Sequence, residues 1–356
     1  MSRTKIIVLF GGVSNEYAVS LKSAASVVEN LDPNRYEVLK VGITRDGRWL
    51  YYTGSTEAMR QDLWHSSSAC IPALLAPWRG TKALFLIKDG CYTTLEADLV
   101  FPVLHGKNGE DGTVQGLLEL SGMPYVGCGT LASALCMDKA VAHALVKGEG
   151  IEVPQSFVLR QGEAVDTVKT KALGLGYPLF VKPACSGSSI GITKAGSEQD
   201  LLAAIELAFA HDAKVVVEKA VDGFEVGCAV MGGDEPVIGA VDEIELEGDF
   251  FNFEEKYSLA HSKIHTPARI SGNEAEKIRE TARKIYRLLG LKGLARVDLF
   301  YTQDGQILFN EVNTLPGFTE KSRYPRMFSA VGLSYGELLD KLVAFTLEDW
   351  ATKKTQ

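Results

Sequence analysis

The run Lys5-Ile-Ile-Val-Leu-Phe10, closed by Gly11-Gly12, constrains the fold more than any other segment of this chain. A short, almost wholly apolar and β-branched run bounded by a turn reads as a strand covered on both faces, the pattern of a parallel strand inside an α/β layer. Ser14-Asn15-Glu16 then opens a helical pattern through Val19, Ser23, Val27 and Val28 that ends near Asp32-Pro33, and Tyr36 to Ile43 is the next strand. A β-loop-α-β unit of this kind gathers its ligands beyond the carboxyl ends of the strands. Asp98 to Leu104 adds a further strand that runs into a loop rich in glycine and charge, so an open α/β sheet is expected over residues 1–129. The stretch 54–94 shows no clean period and is not assigned to elements.

A second unit, 130–220, contains a helical segment from Thr130 to Lys147, strands at 155–159 and 178–182, a helix from Leu201 to Phe209 and a strand from Val215 to Lys219. A third, 221–350, has strands near 225–231 and 236–242, a polar loop at 246–268, and a helix over 274–289. In that helix Ala275, Ile278, Ala282, Ile285 and Leu289 recur at helical spacing. Strands 294–301 and 306–313 flank the turn Thr302-Gln-Asp-Gly305 and form a hairpin. Residues 351–356 are polar and are expected to fray.

Composition excludes several classes. With 37 basic and 45 acidic side chains in 356 residues the net charge is −8, which argues against nucleic acid or an anionic membrane as a partner. The six cysteines form no CxxC pair and no zinc spacing, so reduced thiols and a cytoplasmic setting are expected. The N-terminal apolar run is too short for a signal peptide, and no segment approaches the roughly 20 apolar residues of a membrane span. The 35 glycines follow no collagen period and are expected to punctuate loops.

The hairpin carries the densest chemistry. Strand alternation puts Arg296 and Asp298 on one face, and Glu311 and Asn313 on one face of the returning strand. A turn centred near 303–304 would set Arg296 opposite Glu311. Two carboxylates and an amide suit Mg²⁺, which takes few protein oxygens and fills its shell with phosphate and water, and the guanidinium would stabilise negative charge beside it. The alternative is a solvated face with an ion pair worth at most about 1 kcal/mol. A second signal is Lys182-Pro followed by Ala184-Cys-Ser-Gly187-Ser-Ser-Ile-Gly191. Gly187 and Gly191 let backbone N–H groups approach a ligand, Ser186, Ser188 and Ser189 add donors, and Lys182 can reach phosphate oxygens. It is not a Walker A motif. Glu218-Lys219 closes an apolar strand and Glu225 follows, carboxylates suited to ribose hydroxyls, although taken alone a solvated strand end is the better reading.

Taken together these residues resemble the ATP-grasp enzymes, and within them the D-alanine–D-alanine ligases and their vancomycin-resistance relatives. The matching stretches are Gly11-Gly-Val-Ser-Asn-Glu16 with Val19-Ser-Leu, Leu104-His-Gly-Lys-Asn-Gly-Glu-Asp-Gly through Gly116, Met137-Asp-Lys139, Lys182-Pro with Gly187-Ser-Ser-Ile-Gly191, Glu254-Glu-Lys-Tyr257, Arg296-Val-Asp298 and Asn310-Glu-Val-Asn-Thr-Leu-Pro-Gly317. The resemblance implies an ATP-grasp fold behind an N-terminal open, Rossmann-like α/β domain. Residues 1–129 would bind substrate, and 130–220 and 221–350 would be the two ATP-grasp subdomains. It implies ATP as substrate, two Mg²⁺ ions (or Mn²⁺) on Asp298, Glu311 and Asn313, and a homodimer.

By the same resemblance Lys139, Lys182, Ser186, Ser188, Ser189 and Lys256 would hold phosphates, with Glu218, Lys219 and Glu225 at base and ribose. Glu16 would orient the ammonium of a first D-alanine and form a triad with Ser188 and Tyr257 that closes a lid. Arg296 and the Gly317 N–H would stabilise the oxyanion, and His105 would neighbour the substrate carboxylate. Ser322 would hold the acceptor carboxylate. At Arg323 the D-serine-adding relatives carry arginine where the ordinary enzymes are commonly apolar, which favours D-serine over D-alanine as acceptor. Phe251-Asn252-Phe253 is compatible with that choice, and retention of Glu254 to Tyr257 disfavours D-lactate. A dehydrogenase is excluded because no GxGxxG follows Gly11-Gly12. A non-catalytic module would lack part of the Arg296, Asp298, Glu311, Asn313 set, and a ligase for another acid would lack Glu16 and the His105 loop.

Overall fold

The computed structural model describes residues 3–66, 68–187, 190–246 and 262–354. Strands β1 (Thr4–Gly11), β2 (Tyr36–Ile43), β3 (Trp49–Tyr52), β4 (Cys70–Leu75), β5 (Ala83–Lys88), β6 (Cys91–Glu96) and β7 (Leu99–Val103) form one sheet in the order β6-β5-β4-β3-β2-β1-β7. As its apolar run requires, β1 is buried through most of its length and pairs in parallel with both β2 and β7. The strand order therefore reverses at β1, and the crevice beyond its carboxyl end is the ligand position of an open α/β sheet. The first helix begins at Tyr17, not at Ser14; Ser14 to Glu16 make the turn into it. Gly11 has a left-handed φ of 87°, and a Cβ there would stand 2.1 Å from the Ile43 carbonyl oxygen, so only glycine fits this turn.

The unassigned stretch 54–94 supplies β4, β5 and β6, an antiparallel meander on the sheet edge. All but one residue of β6 are exposed, so no apolar alternation exists for the sequence to show.

The second sheet, β8 (Ser156–Arg160), β9 (Leu179–Pro183), β10 (Thr193–Ala195) and β11 (Lys214–Lys219), is antiparallel with order β10-β9-β11-β8. Its Leu179, Val181, Val215 and Val217 side chains pack under the helices Val165–Leu175 and Glu198–Phe209. Lys182 and Glu218 consequently fall together on the opposite face. The helix expected from Thr130 to Lys147 is two helices, Thr130–Met137 and Lys139–Gly148, because Asp138 leaves the helical region and caps the second by accepting from the Val141 N–H at 3.2 Å.

The third sheet comprises β12 (Gly223–Gly232), β13 (Val237–Leu246), β14 (Ser262–His265), β15 (Gly293–Thr302) and β16 (Ile307–Asn313), in the order β14-β13-β12-β15-β16. The expected polar loop at 246–268 thus contains a strand, and residues 247–261 lie outside the described residues. Helix Gly272–Leu288 covers one face with Ile278, Ala282, Ile285 and Tyr286, and Ser271 with Glu274 forms a capping box at its start.

The hairpin register differs from the expected one. Asp298, not Arg296, lies opposite Glu311, and Arg296 lies opposite Asn313. Leu299 pairs with Phe309, so Asn310 is an extra residue, a β-bulge that the simple turn count omits. At the far end, helix Tyr335–Lys354 runs through four of the residues expected to fray and packs Leu338, Leu339 and Leu342 into the core of the first sheet.

Replacing Gly11 by alanine should destabilise the fold by about 2 kcal/mol or more, read as a lowered urea midpoint with unchanged m-value. A midpoint equal to the parent's would show that the turn tolerates a side chain.

Candidate active site

Glu16 and His105 stand where β1 and β7 end. Glu16 is buried, and a Cβ on Gly106 would lie 2.3 Å from its Oε2, one on Gly187 2.9 Å. The two glycines thus let the loop after β7 and the loop after β9 close on the same carboxylate, which brings the first two sheets into contact at Glu16. His105 is buried with its Nδ1 2.8 Å from the Leu315 carbonyl oxygen and its Nε2 3.3 Å from Ser23 Oγ. A carbonyl only accepts, so Nδ1 carries the proton; burial holds the imidazole below its ordinary pKa and hence neutral. His105 therefore ties the carboxyl end of β7 to the 315–318 turn.

Lys139 and Lys182 form the second wall. Lys139 is the first residue of its helix, where the macrodipole disfavours a cation. It is held there by Glu311 at 3.2 Å and by donating to the Ser186 carbonyl oxygen at 2.8 Å. Lys182 is paired with Glu218 and lies 3.5 Å from Asn310 Oδ1. Two buried ammonium groups beside a helix N-terminus and a glycine loop make a corner suited to polyphosphate. Lys219, at the exposed end of β11, lies past this corner.

On the third sheet Arg296 donates to both oxygens of Asp298 at 2.7 Å, and Asn313 Nδ2 donates to Asp298 Oδ2 at 2.8 Å. Arg323 is buried, with Nε and Nη2 on Asp242 at 2.8 Å and Nη1 on Glu225 at 3.0 Å. Burial works against both guanidinium charges, yet the facing carboxylates, Asp298 for Arg296 and Asp242 for Arg323, hold both above the ordinary arginine value. Gly227 supplies the room: a Cβ there would meet Arg323 Nη2 at 2.4 Å. Gly317 lies beside Ser322, whose Oγ accepts from the Thr319 N–H at 3.0 Å.

Among the described residues no three His, Cys, Asp or Glu side chains converge as a metal site. Asp298 and Glu311 with the Asn313 amide nonetheless present hard oxygens from one face of a rigid hairpin. That donor set fits Mg²⁺, which uses one or two carboxylates plus phosphate oxygens.

The geometry brings together Glu16, His105, Lys139, Lys182, Ser186, Glu218, Arg296, Asp298, Glu311 and Asn313. Glu225 sits against Arg323 on the third sheet. Ser188, Ser189, Lys256 and Tyr257 lie outside the described residues, as do Phe251 to Glu254. Three residues went unread in the sequence. Asp242 interrupts an apolar strand, the one trace it leaves. Asp138 is a helix cap. Glu110, in the loop after β7, accepts from the Gly106 N–H at 2.7 Å and the Leu315 N–H at 3.2 Å.

A lysine-lined phosphate corner on one antiparallel sheet, facing a carboxylate hairpin on another, defines an ATP-grasp enzyme. Models of the D-ala D-ala ligase N-terminus and C-terminus match residues 5–128 and 145–344. A D-alanine–D-alanine ligase of Caldicellulosiruptor bescii is 44% identical over 100% of this chain and 98% of its own. A putative D-alanine–D-lactate ligase of Streptomyces coelicolor is likewise 44% identical, over 98% of this chain and 99% of its own. The crystal structure of the VanG D-Ala:D-Ser ligase from Enterococcus faecalis superposes with a TM-score of 0.90 at 51% identity, covering 97% of this chain and 100% of that one. The chain belongs to the D-alanine–D-alanine ligase family. It is an ATP-dependent ligase that joins D-alanine to a second D-amino acid, with the ATP and Mg²⁺ dependence of that family.

Burial, with Glu16 and Glu311 adding negative charge, pushes the Glu110 carboxyl up to about 8, against the pull of its two backbone N–H partners. The unfolded value is about 4.3, so between the two the native state holds a proton that the unfolded chain has lost. The stabilisation is full below the unfolded value and is lost as pH rises toward about 8. Glu110→Gln should therefore flatten the fall in Tm between about pH 5 and about pH 8. An unchanged or steeper fall in the variant would contradict this.

Proposed function

We propose that the second substrate is D-serine and that the product is D-alanyl-D-serine, a dipeptide for peptidoglycan precursors. The observation that carries this is the buried Arg323, fixed by Asp242 and Glu225. Among the described residues those bonds use three of its five N–H groups, and Nη2 also faces Asp298 Oδ1 at 3.6 Å, so the second N–H of Nη1 is the donor turned to a seryl hydroxyl. An alanyl methyl would leave this donor unmet, which is how a polar site discriminates. Overall likeness leans the same way, with 51% identity to a D-Ala:D-Ser ligase against 44% to the relatives named for D-alanine and for D-lactate. The alternative is D-alanine as acceptor, with Arg323 purely structural.

In this reading Glu16 orients the ammonium of the first D-alanine. Lys139 and Lys182 leave Glu311 and Glu218 for phosphate oxygens, and Ser186 with Ser188 and Ser189 covers them, assisted by Lys256. Glu218, Lys219 and Glu225 meet adenine and ribose. Asp298, Glu311 and Asn313 hold Mg²⁺ (or Mn²⁺), which when bound offsets phosphate charge. The D-alanine carboxylate takes the γ-phosphoryl group, the acceptor amine attacks the acyl carbon, and phosphate leaves. Arg296 and the Gly317 N–H stabilise the oxyanion formed in that attack. His105 borders the first carboxylate, Ser322 the second, and Tyr257 with Ser188 and Glu16 closes the lid so that water does not reach the acyl phosphate. Units 1–129, 130–220 and 221–350 divide these tasks.

A homodimer and a cytoplasmic setting complete the proposal. The free cysteines agree with a reducing compartment, and no described helix is long and apolar enough to cross a membrane.

Phosphate release with ATP and D-alanine, with D-serine, D-alanine and D-lactate competing as acceptors, tests the reading; a product dominated by D-alanyl-D-alanine would refute the D-serine assignment. Arg323→Met should lower the ratio of seryl to alanyl dipeptide about 10-fold. Glu311→Gln should lower kcat about 100-fold or more in a protein that still folds by circular dichroism, with Tm lowered because Lys139 loses its carboxylate, and full activity would remove Glu311 from the metal site.

A further inference from the structure

The bulge at Asn310 decides which way the metal-facing residues point. Leu299 and Phe309 pair with both side chains in the core under helix Gly272–Leu288. Continued without a bulge, that pairing would turn Glu311 and Asn313 into the same core, because a one-residue slip moves every side chain to the other face. The extra residue restores Val312 to the core and sets Glu311 opposite Asp298.

A bulged residue is poorly held by the ladder and needs another partner. Here the partner comes from helix Lys139–Gly148. His143, one turn after Lys139 and buried at 5% exposure, places Nε2 2.7 Å from the Asn310 carbonyl oxygen. Its ring meets Phe309 edge-on, with centroids 5.5 Å apart. The carbonyl fixes the proton on Nε2, and Nδ1 is buried without a hydrogen-bond partner among the described residues. The Asn310 side chain faces Lys182 at 3.5 Å. Histidine thus supplies an N–H donor between Lys139 and Lys182 without a third fixed positive charge, as burial keeps the ring below its ordinary pKa.

We propose that His143 is a positioning residue that pins the bulge at Asn310 and so fixes the face on which Glu311 and Asn313 meet the metal–nucleotide complex. This rests on the metal and phosphate roles proposed above. His143 touches no reacting atom; it acts through the Asn310 backbone.

Three variants test it. His143→Leu removes the donor, His143→Gln carries an amide N–H to about the reach of Nε2, and His143→Asn stops short of it. Binding of Mn²⁺ in the presence of ADP, followed by electron paramagnetic resonance, is the first readout, and the Mg²⁺ dependence of turnover is the second. His143→Leu should weaken Mn²⁺ binding about 10-fold and raise half-saturating Mg²⁺ to match, with KM for D-alanine unchanged and His143→Gln restoring most of the loss. Wild-type Mn²⁺ affinity in His143→Leu, an equal rise in KM for D-alanine, or failure of His143→Gln to recover would overturn the proposal. If circular dichroism shows that His143→Leu does not fold, Gln against Asn makes the same comparison, and Asn binding Mn²⁺ as well as Gln would refute it. Absent D-alanine-dependent turnover in the wild type would refute the ligase reading, while Mn²⁺ binding still judges His143.

Discussion

Three buried cations and one largely buried one hold the centre of this molecule, and each is tolerated because a carboxylate faces it: Lys139 with Glu311, Lys182 with Glu218, Arg323 with Asp242 and, less deeply, Arg296 with Asp298. A lone buried charge costs several kcal/mol, so no member of these pairs is independent of its partner. The pairs also explain why a chain of net negative charge can present a cationic corner. The lysines are neutralised within the fold, and in the proposed function polyphosphate would exchange for their carboxylates, leaving those oxygens open to a metal. The arginine pairs differ, being bidentate and seated on a sheet; they serve as fixed geometry while the lysine pairs serve as exchangeable charge.

Much of this was legible in the sequence because strong local patterns coincide with global ones. The apolar run at β1, the apolar spacing along Gly272–Leu288 and the parity of Arg296 with Asp298 each follow from the period of a strand or helix. The glycine loop and the lysine after β9 are readable because phosphate chemistry restricts residue type. Read together with the resemblance, these gave the N-terminal α/β domain and the ATP-grasp units.

What was not legible depended on pairing across the chain. The bulge at Asn310 has one local trace, since Phe309 and Val312 are both core residues three apart, a spacing that regular alternation forbids. Asp242 and Arg323 find each other across 81 positions, and neither names its partner locally. The meander β4–β6 lay hidden because its outer strand is exposed on both faces. The split at Asp138 was missed because a capping aspartate inside an apolar helical pattern looks like an exposed helix residue.

The C-terminal helix has a further consequence. Asp340 accepts from Tyr36 Oη at 2.8 Å and pairs with Arg35, and Leu338, Leu339 and Leu342 complete the core that β1 and its neighbours begin. During synthesis from the N-terminus, the first sheet must wait, with that apolar surface uncovered, for a segment some three hundred residues downstream. Closing so long a loop adds entropy only logarithmically, but it delays the contact and leaves an intermediate that can aggregate. The topology separates the two cores: the second sheet has its core and helices within 156–219, whereas the core beside Glu16 and His105 is complete only once the C-terminal helix docks.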